Sequence, residues 1–215
     1  MMLKDYQCAF IELALGREAL QFGEYTLKSG RVSPYFFNAG GFASGGALAI
    51  LGRCYAKAIV DNGLEFDVLF GPAYKGIPLV VATAIALSEE LGRDIPYCFN
   101  RKEAKGHGEG GVLVGSRLQG RVLIVDDVIT AGTAIREALG IIAAEQAQVS
   151  GIVVGLDRRE RGRGAVSAIQ EIETDFGINV TSIVDIEAIL AYIRSSGLDD
   201  TVVARIEKYQ TEYGI

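Results

Sequence analysis

Two adjacent carboxylates, Asp126 and Asp127, close the apolar run Val122-Leu-Ile-Val125, and the turn that follows, Thr130-Ala-Gly-Thr133, carries almost no side-chain bulk. An unbroken aliphatic run of this kind marks a strand buried on both faces of a parallel sheet. Ile135, Leu139 and Ile142 then recur at helical spacing, which places the turn at a helix N-terminus. Unpaired amides and the positive end of the helix dipole favour phosphate there. Two carboxylates beside such a cradle would repel a bare phosphate. A ligand with hydroxyls for the carboxylates and a phosphate for the amides removes the conflict, and that ligand is a sugar phosphate. Each piece alone has a plainer reading, a capped helix after a solvated loop; the combination favours the ligand.

A second strand-end loop, Gly71-Pro-Ala-Tyr-Lys-Gly76, follows the apolar run that starts at Asp67 and precedes another helical repeat. Glycines at its ends permit close backbone approach, and Lys75 offers a point charge for phosphate. Residues 100 to 111 form the most polar stretch, with Arg101, Lys102 and Lys105, the chain's one histidine, His107, and four glycines between 106 and 111. Such a composition reads as a basic lid that delivers cations when an anionic substrate binds. A lone histidine is more often a surface residue; the flanking glycines and lysines favour a role at the site. A further basic cluster, Arg158, Arg159, Arg161 and Arg163, is interrupted by Glu160 and reads equally well as a solvated charge run.

The elements needed to position these loops follow from periodicity. Residues 6 to 21 read as a helix, and Tyr25 to Lys28 with Pro34 to Asn38 as a hairpin around Ser29-Gly-Arg31. From about residue 46 strands and helices alternate: a helix through Leu48 and Ile59, strands at 67–70, 95–99, 122–125, 149–155 and 180–184, and closing helices at 186–194 and 200–213. This rhythm predicts an α/β fold, a parallel sheet flanked by helices, whose ligands bind beyond the carboxyl ends of the strands. No repeat or linker interrupts it, so residues 1–215 read as a single unit with residues 1–40 as a hood over that edge.

Composition sets the outer bounds. The chain has 215 residues, 49% of them hydrophobic and 22% charged, which suits an ordinary globular domain. A net charge of −6 argues against nucleic acid or an anionic membrane as a partner. No apolar run of membrane-spanning length and no signal-peptide pattern is present, and Cys8, Cys54 and Cys98 lack metal or disulfide spacing. A cytoplasmic protein with unpaired cysteines is the expectation.

The carboxylate-turn segment resembles the 5-phosphoribosyl-1-diphosphate (PRPP) signature of the type I phosphoribosyltransferase family. Phe22 to Arg31, Ser33 to Asn38, the lid and Leu156-Asp-Arg-Arg-Glu-Arg-Gly162 narrow the resemblance to the orotate phosphoribosyltransferases of bacteria. It implies transfer of phosphoribosyl from PRPP to orotate, with Mg²⁺ carried mainly by PRPP rather than by a protein ligand set. It implies catalytic roles for Lys105, His107, Asp126 and Asp127. PRPP would be held by these together with Lys28, Tyr74, Lys75, Arg101 and Lys102, and by Val128, Ile129, Thr130, Ala131, Gly132, Thr133 and Ala134. Phe36 and Phe37 would frame the orotate ring, while Thr130 and Arg158 contact it. A homodimer with shared active sites, the lid of one chain reaching its neighbour, is also implied. A purine phosphoribosyltransferase and a non-catalytic PRPP sensor are the competing readings; Arg158 and the paired phenylalanines speak against the first, and the lid cations and acidic balance against the second.

Overall fold

β-branched runs separated by helical repeats build a six-stranded sheet. In the computed structural model its strands are β3 (Val68–Gly71), β4 (Tyr97–Lys105), β5 (Gly111–Gly115), β6 (Arg121–Val128), β7 (Gln148–Asp157) and β8 (Val180–Asp185), in the order β5-β4-β3-β6-β7-β8. All neighbours are parallel except β4 and β5, which run antiparallel. The structure describes residues 2–27, 29–92, 94–105, 111–162, 164–197 and 199–215, with the backbone alone at Ala104 and Lys105. Lys28 and His107 therefore lie outside the described residues, as does the side chain of Lys105.

Strand alternation divides the core between the two faces of the sheet. Leu69, Leu123, Val125 and Val153 point into one apolar cluster with α2 (Gly45–Asp61), α3 (Gly76–Leu91) and α6 (Ile186–Ser196). Val68, Phe70, Val122, Ile124, Ile152 and Val154 point into the other, against α4 (Thr133–Ala144) and α5 (Ala168–Phe176). Both faces are covered, as a central parallel sheet requires.

α1 (Asp5–Gly16) is shorter than the periodicity predicts, and β1 (Leu20–Thr26) begins inside the expected helix. Glu18 takes a positive φ of 53°, which turns the chain out of the helix. β1 pairs with β2 (Val32–Phe37) as a separate two-stranded sheet. Phe10, Ile11, Leu20, Tyr35 and Phe37 of this N-terminal part join the core on the α2/α3 face. α7 (Asp200–Tyr213) packs against β2.

Order along the sheet locates the crevice. From β3 the chain moves to one side, to β4, and later returns to the other side as β6. The carboxyl ends of β3 and β6 thus flank a point where strand order reverses, the place where open α/β sheets bind ligands.

Candidate active site

Two loops meet at that crevice: residues 72–75 after β3 and residues 129–132 after β6. The first is tightly folded. A Cβ at Gly71 would come within 2.4 Å of the Gly76 carbonyl oxygen, so only glycine lets the loop close on its own helix. The Ala73–Tyr74 peptide is cis. The second loop ends at Gly132, which caps α4 with a left-handed φ of 70°. Thr130, Ala131, Thr133 and Ala134 are exposed around this cap, while Ile129 is buried beneath it and Val128 half-buried. The open helix N-terminus thus has small side chains on its approach.

β6 runs further than the aliphatic run indicates, through Val128, so Asp126 and Asp127 lie within the last residues of the strand. Alternation sends them to opposite faces. Asp127 faces the α3 side, where its Oδ2 lies 3.0 Å from Lys75 Nζ, and its Oδ1 accepts from the Val128 amide. Asp126 Oδ1 accepts from the Asp127 amide, and its main-chain carbonyl accepts from the buried Tyr55 hydroxyl. Burial, then the Asp127 charge, pushes the Asp126 carboxyl up to about 7; the Asp127 amide and Lys75 act in the opposite direction.

That shift has a sign. A carboxyl whose folded pKa is raised supports the fold at low pH and loses that contribution as pH rises toward 7. The stability gain of Asp126→Asn over the unaltered protein is therefore expected to grow from about pH 4 to about pH 7 and to level off above it, measured without ligands. A difference that does not change with pH would mean that Asp126 ionises like a surface carboxylate.

β4 brings the basic residues to the same edge, because it lies parallel to β3. The polar run expected to be a loop begins as strand: β4 continues to Lys105 and pairs back with Gly111 of β5, a strand that the glycine-rich composition concealed. Arg101 Nη1 is buried and has no hydrogen-bond partner among the described residues. An orphaned guanidinium N–H beside a phosphate-type loop is a place for an anion. Lys102 Nζ stands 5.4 Å from the centroid of the Tyr74 ring, itself largely exposed. Asn100, not picked out from sequence, is buried, and its Oδ1 accepts from the Ala73 amide at 2.9 Å.

Arg158 lies two residues beyond Leu156, and Thr130 two beyond Val128, and Leu156 and Val128 are register partners. The two candidates thus emerge side by side from β7 and β6. Arg158 is no solvated charge: its side chain is 11% exposed. Its Nε and Nη2 bond Glu160 Oε1 at 2.9 and 2.8 Å, Nη2 also reaches Ser33 Oγ, and the guanidinium lies 4.3 Å from the Tyr35 ring centroid. Tyr35 and Tyr209 donate to the same Glu160 carboxylate. Nη1 keeps no hydrogen bond among the described residues. The rest of the basic cluster turns away: Arg159 pairs with Asp185 and Glu187, Arg161 with the Glu212 carbonyl, and Arg163 lies outside the described residues.

Phe36 and Phe37, expected at the orotate ring, are adjacent in β2 and send their side chains to opposite faces. Phe37 is buried against Phe10 and Phe42, whereas Phe36 is exposed and stacked on Tyr25 at 5.4 Å.

A sugar-phosphate crevice of this layout, on a sheet of this order, defines the phosphoribosyltransferase class, and residues 42–184 match the phosphoribosyl transferase domain family. Over 213 residues the chain is 60% identical to the orotate phosphoribosyltransferase of Klebsiella pneumoniae (strain 342), covering 99% of this chain and 100% of that one. Its likeness to the Salmonella typhi orotate phosphoribosyltransferase is 59% over the same span and coverage. The solved orotate phosphoribosyltransferase of Francisella tularensis superposes with a TM-score of 0.86 at 43% identity, covering 96% of this chain and 99% of that one. The chain belongs to the orotate phosphoribosyltransferases of the type I family.

Proposed function

We infer that the crevice between β3 and β6 carries out the family's reaction, transferring the 5-phosphoribosyl group of PRPP to orotate to give orotidine 5′-monophosphate and diphosphate. The observation that carries this reading is the 3.0 Å Lys75–Asp127 pair, which ties an anion loop to a strand-end carboxylate beside the open N-terminus of α4. Residues 129–134 receive the 5′-phosphate on their amides. Asp126 and Asp127 hold the ribose hydroxyls and face the positive charge that develops at C1 as the bond to diphosphate breaks. Tyr74, Lys75, Arg101 and Lys102 meet the negative charge on the departing diphosphate, joined by Lys105 and His107 of the lid and by Lys28. This is positioning and preorganised electrostatics, with no covalent intermediate on the protein.

Mg²⁺ belongs to the same proposal. Among the described residues no group of three or more His, Cys, Asp or Glu side chains could hold a metal. The oxygen donors at hand, two carboxylates and the substrate's own phosphates, suit a hard cation that retains water and travels mainly with PRPP. When bound, it neutralises charge on the leaving diphosphate. The homodimer with shared sites rests on the resemblance, and a cytoplasmic location on the cysteine spacing and N-terminal composition; among the described residues no helix is long and apolar enough to cross a membrane.

Orotate is read by the β6–β7 side of the crevice, with Thr130 and the unengaged Nη1 of Arg158 at its polar edge and Phe36 as the exposed aromatic of β2. Phe37, on the opposite face of the same strand, belongs to the orotate side of the site on the resemblance. Arg158→Ala removes a charged hydrogen bond to the orotate carboxylate, worth ~1.5–3 kcal/mol. Orotate affinity is expected to fall correspondingly, with PRPP affinity measured without orotate unchanged. Equal losses for both ligands would make Arg158 a structural or phosphate-binding residue and refute this part of the reading.

A further inference from the structure

Asn100 closes β4's hydrophobic stretch and opens its polar one, yet it is only 9% exposed. A buried amide at that position needs partners, and it finds one outside its own strand. Its Oδ1 accepts from the Ala73 amide at 2.9 Å, in the middle of the loop between β3 and α3. Among the described residues its Nδ2 reaches only the adjacent Arg101 carbonyl, at 3.4 Å. The loop's other internal bonds lie further along: the Gly76 amide donates to the Pro72 carbonyl at 3.0 Å, and the Ile77 amide to the Tyr74 carbonyl at 3.3 Å. Asn100 is therefore the side chain that fixes the Ala73 peptide, immediately before Tyr74 and Lys75. Two residues further along β4, Lys102 covers the Tyr74 ring.

We propose that Asn100 is the positioning residue of the diphosphate subsite: by holding the Ala73 amide it sets the direction of the Tyr74 and Lys75 groups, and it joins the base of the lid strand to the loop that meets the leaving group. This rests on the assignment of residues 72–75 to diphosphate. Asn100 touches no reacting atom; its action passes through the loop. A loop that has lost this tether presents its amide and ammonium donors in many directions, and the cost falls on diphosphate-bearing ligands alone.

The test compares Asn100→Ala, Asn100→Asp and Lys75→Ala in steady-state kinetics, with free diphosphate as an inhibitor. Asn100→Ala is expected to raise the KM for PRPP and the inhibition constant of diphosphate about tenfold, the size of one hydrogen bond lost with its partner left unsatisfied. The KM for orotate should stay within about twofold, and hydrogen exchange at the Ala73 amide should accelerate. Asn100→Asp keeps the acceptor and the shape, so it provides the answer if the alanine variant does not fold. Its Ala73 amide stays protected, while its new charge raises the KM for PRPP by an amount that shrinks as salt is added. Equal rises in both substrates' KM, or an unchanged KM for PRPP in either variant, overturns the proposal. If Lys75→Ala raises the KM for PRPP and Asn100→Ala does not, the Asn100 role alone is lost. An unmoved KM for PRPP in Lys75→Ala overturns the loop assignment and the Asn100 role with it.

Discussion

Asp127→Asn is expected to lower kcat/KM by two to three orders of magnitude while leaving the fold intact. A carboxylate a few ångströms from a developing cation is worth about 3 kcal/mol at an effective dielectric of about 20, and each 1.36 kcal/mol is a factor of ten in rate. Stability should hardly change. The Lys75 partner is half exposed, with 51% of its side chain open to solvent, and ion pairs of that kind contribute about 0–1 kcal/mol. The asparagine keeps an oxygen for the Val128 amide that Asp127 now binds. Single-turnover and steady-state kinetics beside a thermal melt separate the two effects. A loss below tenfold with an unchanged melt would remove Asp127 from the ribose subsite.

The second large effect concerns the lid. Lys105→Ala should be about as inactive as Asp127→Asn, since it removes a cation from the departing diphosphate. Mixing the two variants then tests the shared-site dimer. When both are unfolded together and reassembled in equal amounts, random pairing makes about half of the dimers mixed. If the lid acts across the interface, each mixed dimer has one site with both defects and one with neither. Activity then recovers to roughly a quarter of the unaltered protein by the symmetry of a two-fold dimer. A lid that closes over its own chain leaves one defect in every site and restores nothing, which would end the shared-site proposal.

What was legible in the sequence follows the strength of local signals. The strands β3, β6, β7 and β8 are dominated by aliphatic residues, and the loops after β3 and β6 are found with them. β6 was read too short because Asp126 and Asp127 break its apolar pattern, although both are buried in the strand. β5 was hidden by the glycines that precede Val112, and α5 by a weakly apolar sequence. A signal for α5 exists in the Ser167 capping box with Gln170 and the left-handed Gly177 that ends it. Arg158 reads equally well as part of a charge run until the resemblance is considered; only the fold shows Glu160 of its own segment, Ser33 and Tyr35 of β2 and Tyr209 of α7 gathered around it. Asn100 was invisible for the same reason: its partner, Ala73, is 27 residues away.

The central claim, that this crevice joins PRPP to orotate, is tested most directly by diphosphate release from the purified protein. The assay supplies PRPP and Mg²⁺ with orotate, adenine or hypoxanthine as the base. Release is expected with orotate alone, matched mole for mole by orotidine 5′-monophosphate. Release driven by a purine, or PRPP binding without turnover on any of the three bases, would contradict it.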